Sequence, residues 1–409
     1  MLTLTLNVLY YASVIVVPLF LLFVVWDLWM VYIRAAFVAS KTFVVLEVKL
    51  PREVFKSPHA AEFFITALSQ GSGEKNWFEV YWQGKMRAWF SLEITSIDGA
   101  VRFFIWTRSD FKNLIEANIY SQYPGIEIYE VPDYTLPVKY DSKTDSLWGA
   151  EFALTKPDAF PIKTYIDYGM DKNPEEEYKI DPMTPLIEFL GGLGHGANVW
   201  IQIIVRRHKD EERDPDAKWK FWKKKDLRWK EAAQVEINKI LEPTKGVKDA
   251  DGKLIPGTNR RLSDVESDTI KALGRSVSKN GYDVGIRAMY VAPKDVWKAD
   301  NLSGIIGGIT HFNSHMNGFK PVRDSEERYT HPLFVWKKRR EKKRDSERQD
   351  LLDAYKRRAY FYKPMKSPHF ILNSEELATM YHFPGIVSAT PTFTRIESKK
   401  SQAPANLPI

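Results

Sequence analysis

The feature that most constrains this chain is its first apolar run, Val8 to Trp26. It carries no charged residue and is followed by Asp27, further apolar positions to Ile33, and then Arg34. As a helix rising ~1.5 Å per residue, that run reaches ~28 Å, close to the thickness of a hydrocarbon core. No Lys or Arg precedes Val8 and no Ala-x-Ala follows the run, so it reads as a retained anchor rather than a cleaved signal peptide. Arg34, Lys41, Lys49, Arg52 and Lys56 flank it downstream, which by the positive-inside tendency puts the rest of the chain in the cytoplasm. Tyr10 and Tyr11 at one end, with Trp26 and Trp29 at the other, suit the two interfaces, and Pro18 is a bend that a bilayer tolerates. The alternative is a buried N-terminal hairpin of a soluble protein.

The 409 residues of the chain leave room for two or three domains beyond the anchor, and 13 Trp, 19 Tyr and 23 Phe call for packed cores rather than disorder. The absence of Cys excludes disulfides, thiolate zinc sites and Cys nucleophiles together. A net charge of +7 is compatible with nucleic acid or anionic lipid as a partner.

The periodicity then switches between strand and helix. Thr42 to Leu50 is β-branched and apolar, and Ser57-Pro58 opens a helix through Ala60, Phe63, Phe64 and Leu68. Trp77 to Trp82, Arg87 to Ile97 and Val101 to Trp106 read as antiparallel strands separated by Gly84 and Asp98-Gly99. Asp110 is placed to cap a helix, and Ile126 to Val131 closes the unit as a strand. A second pass of similar grammar predicts strands at Leu147 to Leu154, Asn198 to Arg206 and Tyr282 to Val291. Its helices fall at Asp181 to Leu190, Ser263 to Ser278 and Pro293 to about Thr310. The expected fold class is α+β: an N-terminal transmembrane helix (1–34) followed by two ferredoxin-like (split βαβ) α/β sandwich domains with helical insertions. The first covers 42–131. The second covers 146–321 and is interrupted by a charged helical insertion at about 208–260. A basic helical arm at 322–368 and a C-terminal helix with a Pro-rich tail at 369–409 complete the chain.

Few stretches could carry chemistry. Gly191-Gly192-Leu193-Gly194-His195-Gly196 follows a helix and precedes a strand, the reverse of a phosphate-binding loop, and no Gly-x-x-x-x-Gly-Lys-Ser/Thr occurs elsewhere. A helix C-terminal turn accounts for it. His311 and His315 are spaced for one helical face, as a metal pair requires, but no third ligand is close by and Asn313, Asn317 and Gly318 end the helix there. Gly304, Gly307 and Gly308 read as close packing. Asn373 and Glu376 have capping-box spacing. No catalytic residue, metal site or cofactor is expected. Two basic stretches remain as candidate contacts for nucleic acid or lipid head groups: Lys218, Trp219, Lys220, Trp222, Lys223, Lys224 and Lys225, and then Lys337, Lys338, Arg339, Arg340, Lys342, Lys343 and Arg344. A solvated helix whose rings pack on its own domain explains the first stretch equally well.

Three segments together resemble the N-terminal region of bacterial membrane-anchored conjugation ATPases: the type IV secretion coupling proteins and HerA-like DNA translocases, particularly candidate-phylum forms. They are Thr184 to Leu190 leading into Val199 to Ile203, Ile306 to Pro321, and above all Phe370 to Gly385 with its Leu-Asn-x-Glu-Glu-Leu-Ala pattern followed by His382 and Pro384. In that family a RecA-like motor follows a Pro-rich stretch similar to Ala403 to Pro408. No Walker A lysine or Walker B strand is present here, so the resemblance carries no ATPase activity to any residue of this chain. What it implies is a non-catalytic, single-pass assembly or docking module of a type IV secretion-like (conjugative) transfer machine in the inner membrane. The motor would be encoded separately, lie beyond a cut, or be lost in a paralogue. The implied partners are the membrane, an ATPase or other secretion subunits, nucleic acid, and further copies of the chain.

Overall fold

The computed structural model describes residues 2–51, 57–69, 76–171, 181–209, 229–245, 260–324 and 337–384. The first apolar run belongs to one unbroken helix, α1 (Leu2–Ala39), with Pro18 inside it. Its Val16–Ala39 stretch is long and apolar enough to cross a membrane. From Val16 to Leu28 its apolar side chains are largely exposed, Leu22 by 64%. The hairpin alternative therefore does not describe it.

Two chain segments build one sheet. The first supplies β1 (Phe43–Lys49), α2 (Pro58–Leu68), α3 (Trp77–Tyr81), β2 (Trp89–Ile97), β3 (Ala100–Arg108), α4 (Lys112–Gln122) and β4 (Glu127–Val131). The second supplies β5 (Asp145–Leu154), α5 (Thr184–Gly191), β6 (Asn198–Arg207), α6 (Trp229–Leu241), α7 (Asp264–Ser278), β7 (Gly281–Pro293), α8 (Asp300–Thr310) and β8 (Phe319–Asp324). Helix α9 (Lys337–Lys356), β9 (Phe370–Asn373) and α10 (Ser374–Met380) follow. Among the described residues the strands run β4-β1-β3-β2-β6-β7-β5-β8, every neighbour antiparallel, with β9 pairing the start of β7. Each half has the same internal order, its first strand lying between its fourth and third. The halves meet through their second strands, β2 and β6, in register from Trp89↔Arg206 to Ile97↔Asn198.

Local chemistry explains the elements and two departures from expectation. The β2–β3 turn, Asp98-Gly99, has positive φ at both residues (54° and 81°), as a two-residue hairpin requires. Trp77 to Trp82 is helical rather than extended. The Asn76 side chain accepts the Glu79 N–H at 2.9 Å, and Val80 and Tyr81 turn inward against Met30 and Ile33 of α1. Asp110 does not cap α4; a 3-10 turn at Ser109–Phe111 precedes that helix, and the Asp110 carboxylate pairs with Arg108 at 3.1 Å.

Strand alternation gives the sheet two different faces. Phe90, Leu92 and Ile94 of β2, Ile201 and Ile203 of β6, and Val284 and Ile286 of β7 join one apolar core beneath α2, α4, α5, α8 and α10. The opposite face is covered by Leu351, Leu352 and Tyr355 of α9 and by Tyr360 and Phe361, and it buries charge.

Candidate functional site

On that second face Glu93, Gln202, Arg287 and Glu151 are direct cross-strand partners on β2, β6, β7 and β5. Gln202 Nε2 donates to Glu93 Oε1 at 3.0 Å, and Arg287 Nη1 donates to Gln202 Oε1 at 3.2 Å. Arg287 Nη2 reaches Glu151 Oε1 at 2.7 Å, and the Ser367 hydroxyl donates to the same oxygen at 3.0 Å. Arg358, just past α9, closes the row, bonding both Glu93 oxygens and the Asp133 carboxylate. Tyr134 donates to Glu93 Oε2 at 2.9 Å and meets the Tyr355 hydroxyl at 2.8 Å. Burial, with the Glu93 charge beside them, pushes both phenols well above their usual range, so they act as neutral hydrogen-bonding groups. Glu93, Gln202, Arg287 and Arg358 are fully buried. The row therefore offers no open position to a substrate; chemically it is a clamp that fixes the 355–367 segment across four strands.

A second cluster centres on Asp283 of β7, which takes Arg206 Nε at 2.7 Å, His208 Nδ1 at 2.6 Å and Arg87 Nη1 at 3.4 Å. Burial alone would raise its carboxyl; the His208 bond and the two guanidinium charges outweigh that and hold it well below the usual range. Nearby Asp158 accepts the Ile371 N–H at 3.0 Å, and burial pushes it up to about 6.

The described residues of the C-terminal motif bond to neighbouring parts of the domain. Asn373 and Glu376 form the expected capping box, and Glu376 also accepts the Ile162 N–H at 2.9 Å. Glu375 pairs with Lys279 at 3.1 Å and Arg275 at 3.3 Å on or next to α7. His382 Nδ1 faces the Ala378 carbonyl at 3.0 Å and Nε2 faces Asp181 at 3.1 Å. These bonds tie α10 to Ile162, to Asp181 and to α7.

Of the expected contact residues, Lys218, Trp219, Lys220, Trp222, Lys223, Lys224 and Lys225 lie outside the described residues. Trp229, at the end of that basic-aromatic run, is buried at the start of α6 and donates its indole N–H to the Asp158 carbonyl at 3.2 Å. Lys337, Lys338, Arg339, Arg340, Lys342, Lys343 and Arg344 form the first two turns of α9. His311 stands at the C-cap of α8 and His315 beyond it, so no common helical face joins them. Among the described residues no group of three or more His, Asp or Glu is placed to hold a metal ion. Gly304 lies against the Phe189 ring, where a Cβ would come within 2.2 Å, and Gly308 against Leu186, so these two glycines bring α8 onto α5.

The buried row was not foreseen. Its signal is a charged or amide side chain inside each of four largely apolar strands: Glu93, Glu151, Gln202 and Arg287.

No curated protein matches the chain. Residues 44–395 match the family described as a domain of unknown function (DUF8128), a span covering the whole sheet with its helices and the C-terminal motif. The chain belongs to that family.

Proposed function

We propose that this protein is a single-pass, non-catalytic assembly or docking module of a type IV secretion-like transfer machine, held in the inner membrane by α1 with its sheet on the cytoplasmic side. The observation that carries the reading is the seat of the anchor. Helix α1 runs into the domain without a linker: Met30 and Ile33 are buried against Val80 and Tyr81, the Trp29 indole donates to the Tyr81 carbonyl at 2.9 Å, and Arg34 stacks over Tyr362 at 5.2 Å. A module joined this way presents its surfaces at a fixed angle to the bilayer, which is what a docking platform needs and a tethered enzyme does not. The shared strand order of the two halves supports reading each as a ferredoxin-like unit. The basic residues Arg34, Lys41 and Lys49 past the apolar stretch support the cytoplasmic side.

Crosslinking the full chain in its native membranes and isolating it is the decisive experiment. The expected outcome is co-purification of an ATPase or another secretion subunit; recovery of neither from membranes rich in the chain overturns the reading.

A second reading, nucleic-acid binding, is favoured by one observation. The basic turns of α9 belong to a helix whose other end, at Leu351, Leu352 and Tyr355, is locked into the core. Phosphate contacts make affinity fall steeply with salt. Undetectable DNA binding at low salt removes this reading.

A further inference from the structure

The apolar helix does not meet the domain alone. Beside it lies α3, which buries Val80 and Tyr81 but leaves Trp77, Phe78 and Trp82 exposed by 58%, 50% and 53%. Ring contacts fix its height along α1: Trp26 meets Tyr81 at 5.7 Å and Trp29 meets Trp82 at 5.7 Å. Those positions are one to two turns, roughly 6–11 Å, past the exposed Leu22. At the same height Asp27 forms an ion pair with Lys363 at 2.5 Å. Neither charge tolerates hydrocarbon, so the apolar layer around α1 ends before Asp27 and a polar layer begins there.

We propose that α3 is a second membrane contact: Trp77, Phe78 and Trp82 lie in the phospholipid head-group layer of the bilayer that α1 spans. Indole rings combine a large apolar body with one N–H donor, which suits them to that layer, whereas a contiguous aromatic patch facing bulk water is a solubility liability. The bilayer is the occupant because the patch is continuous with the exposed apolar surface of α1. Together α1 and α3 give two points of attachment, so the domain neither swings about nor spins around the anchor. This inference rests on α1 being a membrane span, and the experiment separates the two.

The chain has no Cys, so single cysteines for spin labelling can be introduced one at a time into the full protein. Four variants suffice: Leu22→Cys, Trp77→Cys, Phe78→Cys, and Val265→Cys on the exposed surface of α7. Each is reconstituted in vesicles of phosphatidylethanolamine and phosphatidylglycerol, and the label's accessibility to oxygen is compared with that to a water-soluble nickel chelate. The expected result is a severalfold rise in the oxygen-to-nickel ratio at 77 and 78 over 265, with a larger rise at 22. If 22 is deep while 77 and 78 match 265, the anchor stands and the second contact is overturned. If 22 also matches 265, the anchor reading fails and this inference falls with it.

Discussion

Arg358 and Glu93, 265 residues apart in the chain, form a two-bond ion pair with no exposed atom: Arg358 Nε lies 3.0 Å and Nη2 3.2 Å from the two oxygens of the Glu93 carboxylate. Removing one member leaves the other charge buried without this pair, a loss of about 3–5 kcal/mol, whereas replacing both by apolar side chains of similar volume is often nearly neutral. Arg358→Met alone and Glu93→Met alone are therefore expected to destabilise strongly, and the double variant less than the sum of the two. Urea unfolding of the full chain in detergent micelles measures all three; additive losses would show that the two residues act independently.

The buried carboxyls predict a pH profile. Burial raises Glu376 to about 8 and Asp158 to about 6. Unfolded Glu and Asp titrate near ~4.3 and ~3.9. Between those values and the folded ones the native state holds protons that the unfolded chain has released, so stability falls as pH rises. That decline ends at about 6 for Asp158 and about 8 for Glu376. Asp283 and Asp181 run the other way. Burial would raise both, but the partners of Asp283 and the His382 pair of Asp181 outweigh it and lower them. Their contribution is present above ~3.9 and lost as pH falls through the folded values. Thermal stability is expected to peak in mild acid, and Glu376→Gln to flatten the decline on the alkaline side. An unaltered alkaline limb in that variant would show that Glu376 does not cause the decline.

The buried strands were legible because both faces are covered. Leu147 to Leu154, Asn198 to Arg206 and Tyr282 to Val291 are nearly continuous apolar runs, and β5, β6 and β7 occupy those positions. The cap at Asn373 and Glu376 was legible because its bonds are local. α3 was not, since Trp, Phe, Val and Tyr favour strands, and the helix is selected by the seat on Met30 and Ile33 together with the Asn76 cap. The union of β2 with β6 was equally hidden: nothing within either strand specifies a partner about a hundred residues away in the chain. The same distance hides the charge row, whose members are polar exceptions in apolar strands until the register aligns them.

His382 gives the C-terminal motif a physical test. Its two ring nitrogens face the Ala378 carbonyl and the Asp181 carboxylate, contacts that hold the ring in place. His382→Leu leaves Asp181 buried beside an apolar group and is expected to cost about 3–5 kcal/mol. Adding Asp181→Leu is expected to restore part of it. Unfolding midpoints decide; a double variant no better than His382→Leu would show that the histidine's role is packing rather than pairing.

The glycines of α8 make an internally controlled pair. A Cβ on Gly304 would meet the Phe189 ring at 2.2 Å, whereas one on Gly307 meets nothing within 4 Å. Gly304→Val must push α5 and α8 apart or force Phe189 off its rotamer, at about 1–3 kcal/mol. Gly307→Ala instead removes backbone freedom from the unfolded chain and gains about 0.5–1 kcal/mol. The two substitutions lie three residues apart on one helix and differ in what faces them, so opposite signs in thermal unfolding are the expected result. Equal losses would mean that helix α8 resists any added side chain, and that its seat on α5 is not what sets the glycines.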